Sequence, residues 1–162
     1  MKSFLERFES FLHGKGLRLT NQRAEILRAI YRTHRHVTAE QLYEMIRDDA
    51  KTKELRISRA TVYRTLGLLA EGGFVDALDL GRDQGVRYEH SLGHEHHDHM
   101  VCTDCGKIIE FNDPELERVQ DEVVARHGFV ATSHQLNVYG TCSSCSRRER
   151  KKGAPAPDSA EA

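Results

Sequence analysis

Residues 94–105 read HEHHDHMVCTDC: four histidines, three carboxylates and two cysteines in twelve positions. Side chains of these types at this density bind divalent metals, and the question is whether one ion uses them all. Cys102 and Cys105 form one Cys-x2-Cys pair, and Cys142 and Cys145 form a second after 36 intervening residues. Two such pairs, each on a tight turn, can close a tetrahedral thiolate shell around Zn(II). In a reducing compartment four cysteines serve a metal rather than disulfides. The expectation is a structural zinc that supports folding.

The histidines need a second account. With residues 96–99 extended, alternation puts His97 and His99 on one face and His96 and Asp98 on the other. One short stretch then offers ligand pairs to two sites, each completed from elsewhere in the chain. Imidazole with carboxylate suits Fe(II), Mn(II) or Zn(II). The competing reading is a surface histidine cluster that takes up metal adventitiously. Enzymatic metal chemistry is not indicated. HEHHD departs from His-Glu-x-x-His because position 98 is Asp, and no Pro precedes Cys102 as the zinc-deaminase pattern requires. No catalytic residue is assigned.

The elements that must position these ligands fall into two groups. KSFLERFESFLHG has apolar residues at helical spacing, Phe4, Leu5, Phe8, Phe11 and Leu12. Thr20 precedes a second helix, NQRAEILRAIYRT, and TAEQ at 38–41 is a capping box opening a third. Ser58 caps a fourth, RATVYRTLGLLAEGG, which stops at Gly72-Gly73. Two β-like runs follow, FVDALDL and VRYEHS, joined by the turn GRDQG. Helices followed by a two-stranded hairpin is the order of a winged helix-turn-helix. On the fourth helix Val62, Leu66 and Leu69 form the core stripe, so Ala60, Arg64 and Gly67 point outward with Tyr63 on the flank. An Arg and a Tyr among small residues suit DNA bases and phosphates. The alternative is a Tyr63 packed in the core and a solvated Arg64.

In the second group MVC and KIIEF predict strands around the turn TDCGK. Asp113-Pro114 opens a helix that stops at Gly128, and HQLNVYG returns as a strand to the second cysteine pair. The charged, then Ala/Pro-rich tail from residue 147 is expected to be disordered. Residues 1–90 carry 16 Lys/Arg and 13 Asp/Glu, and residues 91–146 carry 3 and 9. A mildly basic half thus precedes an acidic half that divalent cations would neutralise. The expected domains are 1–90, 91–146 and the tail 147–162. No apolar run is long enough to span a bilayer, and acids interrupt the N-terminal apolar pattern where a secretory signal would have none. The expectation is a cytoplasmic protein without membrane contact.

HHDHMVCTDCGKIIEF, with HVTAEQLY and RATVYRTL, resembles the ferric uptake regulator family over most of residues 14–145. The resemblance implies an α+β protein: an N-terminal winged helix-turn-helix followed by a C-terminal α/β dimerisation domain. It implies a homodimeric, metal-activated repressor of transcription, bound to a double-stranded DNA operator, and not an enzyme. It places the structural zinc on Cys102, Cys105, Cys142 and Cys145. A regulatory site would use His36, Glu89, His97 and His99, with Glu110 a further candidate. An additional site would use His96, Asp98, Glu117 and His127. Arg18 of GLRLT matches the family's basic residue at the minor groove, and Tyr63 and Arg64 match its major-groove contacts. Glu89 and Glu110 stand where the peroxide-sensing branch tends to have Asp, and no Cys remains outside the two pairs for a zinc-sensing site. Both features favour Fe(II)-activated control of iron uptake genes, with a peroxide- or zinc/manganese-sensing regulator as the alternative. His90 and His94 fall outside the pattern, as solvated side chains or spare ligands, and a hinge is expected near residues 90–94. A reading from another class is a metal-buffering or metal-dependent enzyme module that contains a winged helix.

Overall fold

The computed structural model describes residues 3–33, 35–80, 85–91 and 96–153, the side chains of 149–153 excepted. The chain divides into two units at His94/Glu95. The predicted hinge positions 92–94, His94 among them, and most of the GRDQG turn lie outside the described residues.

The first unit begins with α1 (Phe4–Gly14), α2 (Asn21–Arg32) and α3 (Ala39–Asp48). It continues with α4 (Arg59–Glu71) and the antiparallel pair β1 (Val75–Asp79) and β2 (Val86–His90). Each helix starts where a hydroxyl side chain can take an orphan amide. Thr20 accepts from the Arg23 N–H and Ser58 from that of Thr61, while Ser3 with Glu6 and Thr38 with Gln41 form reciprocal capping boxes. Gly73 ends α4 with φ +66°, a conformation that a side chain would penalise. The apolar stripes meet in one core of Phe8, Leu12, Ile26, Leu27, Ile30, Leu42, Ile46, Val62, Leu66, Leu69 and Phe74. Val62, Leu66 and Leu69 are buried as their spacing requires, and Tyr63 is 52% exposed, so it does not pack in that core. A 3-10 turn at Lys53–Leu55, which no sequence motif predicts, lies between α3 and α4. Val37 pairs with Tyr88 through two backbone hydrogen bonds of 3.0 and 2.8 Å, which docks the segment before α3 on β2.

The second unit is built on β3 (Asp98–Cys102), flanked by antiparallel β4 (Ile108–Phe111) and parallel β5 (Asn137–Gly140). The parallel pairing needs a crossover, and α5 (Pro114–Arg126) lies in it. Asp113 caps α5 by accepting from the Glu115 and Leu116 N–H groups, with Pro114 at the first helical position. The strand expected over HQLNVYG is confined to its last four residues. The expected disorder from residue 147 is also corrected. Helix α6 runs Ser143–Gly153 through the basic stretch, whose Arg and Lys residues are good helix formers. Residues 154–162 lie outside the described ones. Among the described residues of this unit, the buried apolar side chains are Val101, Cys102 and Cys145. Met100 faces Ile109 on one side and Val138 on the other, an apolar row across the sheet, and all three are exposed. No helix among the described residues is long and apolar enough to cross a membrane.

Candidate metal centres

The β3–β4 turn carries Cys102 and Cys105, and the β5–α6 junction carries Cys142 and Cys145. Parallel pairing of Cys102 with Gly140 brings these two ends together. All four sulfurs lie within 4.8 Å of one another, and Cys105 Sγ and Cys142 Sγ are 3.8 Å apart. A tetrahedron with Zn–S bonds of about 2.3 Å has S···S edges of about 3.8 Å, so the spacing fits zinc. The surroundings also suit thiolates. The Cys142 N–H donates to Cys102 Sγ at 3.2 Å, and the Arg148 guanidinium donates to Cys145 Sγ at 3.0 Å. The Cys142 amide is the main cause that draws the Cys102 thiol down to about 6. Burial pushes Cys145 up to about 12 in the absence of metal. A metal cation reverses that preference by binding the anionic sulfur. Arg148 lies in the stretch expected to be disordered, so its contact with the cluster was not legible from the cysteine spacing.

A second cluster sits at the start of β3. His96 Nε2 lies 3.4 Å from Asp98 Oδ1 and 3.4 Å from Glu117 Oε1. His134 Nε2 lies 3.3 Å from Glu117 Oε2, and the His96 and His134 rings meet edge to face at 4.2 Å. Asp98 is 1% exposed. Its Oδ1 accepts from the Leu136 N–H at 3.3 Å, and its Oδ2 has no hydrogen-bond partner among the described residues. A buried carboxylate oxygen without a donor, beside two imidazoles and a second carboxylate, is a donor set for a divalent cation. The fourth member is His134, in place of the expected His127. The reason is helix geometry: Glu117 is in the first turn of α5 and His127 is its exposed C-cap, ten residues on and about 15 Å along the axis. The chain returns after Gly128 and brings His134 back to Glu117. Replacing His134 with Ala is therefore expected to remove one weakly held metal per chain in equilibrium dialysis, while His127→Ala keeps it. The reverse pattern would exclude His134 as a ligand.

The expected regulatory ligands form two partial sets, one in each unit. In the first, the Val37–Tyr88 pairing aligns the flanking residues, and His36 Nε2 lies 3.0 Å from Glu89 Oε2. In the second, the His97 and His99 rings are 5.0 Å apart, and Glu110 is directly opposite His99 in the β3–β4 register. His97/His99 and His96/Asp98 thus serve different groups, as strand alternation requires. His90, which follows Glu89 on β2, is not solvated. It is buried, with its ring stacked on Tyr31 at 4.9 Å. The Tyr31 hydroxyl donates to the Phe74 carbonyl, and burial pushes its pKa up to about 12.

A family model for the ferric uptake regulator family matches residues 14–139. The chain belongs to the ferric uptake regulator family. The ferric uptake regulation protein of Campylobacter jejuni is 42% identical over 147 residues, 91% of each chain. The solved Helicobacter pylori ferric uptake regulator, described as having three functional metal binding sites, aligns with a TM-score of 0.71. It is 36% identical and covers 87% of this chain and 91% of that one. The Pseudomonas aeruginosa ferric uptake regulator, solved with manganese, gives 0.66 at 31% identity, covering 83% and 96%. This ferric uptake regulator family member is accordingly a metal-responsive transcription regulator. Its Arg18, Tyr63 and Arg64 are all exposed on the first unit. The Arg18 carbonyl accepts from Arg23, and Arg64 Nε donates to the Ala60 carbonyl at 3.2 Å.

Proposed function

We propose that the protein is a homodimeric repressor that binds double-stranded operator DNA when Fe(II) is available and so controls iron uptake genes. The first unit acts as a winged helix-turn-helix, with α4 as the reading helix, β1–β2 as the wing, Tyr63 and Arg64 toward the major groove and Arg18 toward the minor groove. The second unit is the dimerisation domain. Its exposed Met100–Ile109–Val138 row suits a partner surface. Structural zinc is held by Cys102, Cys105, Cys142 and Cys145. An additional ion is held by His96, Asp98, Glu117 and His134. The regulatory ion uses His36, Glu89, His97, His99 and Glu110. It supplies positive charge that binds these imidazoles and carboxylates together.

The observation that carries this reading is the His36–Glu89 pair, a set of metal-type ligands built into the unit that holds the reading helix. Among the described residues each unit holds part of the proposed ligand set, so an ion that uses both parts links the units. Nitrogen and oxygen donors hold divalent metal less tightly than four thiolates, as a site that must respond to metal supply requires. The test is binding to duplex DNA with Fe(II), Mn(II) or Zn(II), against a chelator control. Metal-stimulated, sequence-selective binding is expected, and metal-independent binding would overturn the reading. Arg64→Ala should weaken operator binding by about 1–3 kcal/mol and relax specificity at one base if the guanidinium reads that base. Unchanged binding by both Arg64→Ala and Arg18→Ala would remove this face from the interface.

A further inference from the structure

Beside Arg64 the first unit contains a polar notch whose other lining residues have been given no role. It has a volume of about 290 Å³ and is lined by Thr20, Gln22, Arg23, Thr61, Arg64 and Thr65. Three hydroxyls, one amide and two guanidiniums converge there, and among the described residues no carboxylate lines it. Two cations in one recess without an anion repel each other, so the recess is electrostatically incomplete in the protein alone. Both guanidiniums are nevertheless held in place. Arg23 Nη1 donates to the Arg18 carbonyl at 2.6 Å, and Arg64 Nε donates to the Ala60 carbonyl at 3.2 Å. Each spends one N–H on a backbone anchor and, among the described residues, keeps the others without a partner. Anchored guanidiniums lose little side-chain entropy on binding, and their planar donor fork matches the oxygens of a phosphate.

The frame of the notch is fixed as well. The Gln22 Nε2 donates to the Leu55 carbonyl at 2.8 Å, which ties the first turn of α2 to the segment that leads into α4. Thr65 is buried and its hydroxyl donates to the Thr61 carbonyl at 2.7 Å, so the α4 wall is well packed.

We infer that this notch is a binding site for one phosphodiester group of the DNA backbone, with Arg23 as its principal cation. The inference rests on the DNA-binding reading above and adds a positioning contact that carries no base information. Arg23 grips the backbone while its bond to the Arg18 carbonyl holds the neighbouring minor-groove residue in register. Arg64 can share the phosphate or turn to a base edge. Arg23 therefore distinguishes the notch from base reading.

The test uses the full-length, zinc-loaded protein supplied with Mn(II), and measures binding to an operator obtained by selection and to a mixed-sequence duplex over a range of salt concentrations. With Arg23→Ala, the plot of log affinity against log salt should become shallower by about 1 for each notch engaged. Both duplexes should weaken by a similar factor, because the contact is blind to sequence. Arg23→Lys, which keeps the charge, should restore most of the slope. Arg28→Ala, outside the notch and paired with Glu25, should leave it unchanged. The variants are compared at matched thermal stability. If the native protein binds duplex and Arg23→Ala, still folded, keeps the native slope, the notch does not hold phosphate. Loss of selectivity for the operator alone would make Arg23 a base reader and also overturn the inference. If the native protein binds neither duplex in any metal state, the DNA-binding reading fails and the notch falls with it.

Discussion

Cys142→Ser is expected to release zinc and unfold the second unit while the first stays folded. The unit's composition is the reason. Its described residues bury Val101, Cys102 and Cys145 and little else that is apolar, whereas the first unit closes a continuous core from four helices and Phe74. A domain of this size rarely draws more than about 3–5 kcal/mol from its core, and small domains depend on a metal or a partner subunit to make up the difference. A structural zinc site contributes on the order of 10 kcal/mol. Removing one thiolate leaves the shell open and the other three sulfurs crowded without their counter-ion. Metal analysis should show the zinc stoichiometry falling toward zero. Hydrogen exchange should show β3, β4 and β5 amides losing protection while those of α2 and α4 keep it. A strong chelator applied to the native protein should give the same pattern. A Cys142→Ser protein with full zinc content and an unchanged melting temperature would show that the cluster is not a four-thiolate zinc site.

What the sequence made legible tracks how local each cause is. The starts of α2, α3 and α4 were readable because a cap and its amide partner lie three residues apart. The core face of α4 was readable because the helical period orders Val62, Leu66 and Leu69. The grouping of His96 with Asp98 and of His97 with His99 was readable because an extended chain alternates its side chains. His134 was not. It reaches Glu117 only because the chain reverses after Gly128, and the length of that return is written in no single motif. His127, in sequence the nearer histidine, is carried away by the straightness of α5. The fate of His90 was hidden for a related reason: its stacking partner, Tyr31, lies on another element, and nothing in VRYEH distinguishes a core histidine from a ligand. The tail from residue 147 looked disordered because charge and polarity dominate it. Its first half is helical because the Cys142–Cys145 pair starts a helix there and Arg148 turns back onto the cysteine sulfur.

His97→Ala is expected to abolish metal-stimulated DNA binding while leaving zinc content and oligomeric state intact, and His96→Ala is expected to do much less. His97 belongs with His99, and the register sets Glu110 opposite His99. His96 belongs with Asp98 and Glu117, within the second unit alone. The proposed regulatory site pairs the first group with His36 and Glu89, in the unit that carries α4. A ligand shifts a conformational equilibrium by its differential affinity for the two states. An ion that takes ligands from both units, as proposed, binds only the arrangement in which both are available. An ion held by one unit binds every arrangement equally and shifts nothing. At a metal concentration a hundred times its dissociation constant, the linked site can favour the DNA-competent arrangement by about 2.7 kcal/mol. That corresponds to roughly a hundredfold change in its population relative to the others. Removing His97 lowers the affinity of the linked site and erases this term. Removing His96 costs only local stability at the head of β3. His36→Ala, on the other unit, should match His97→Ala in the DNA assay, because either loss breaks the same link. Titrating each variant with Mn(II) against a fixed concentration of labelled operator separates the cases. If His97→Ala keeps its metal response and His96→Ala loses it, the two faces of the strand have been assigned the wrong way round, and the gating ion is the one held by Asp98, Glu117 and His134.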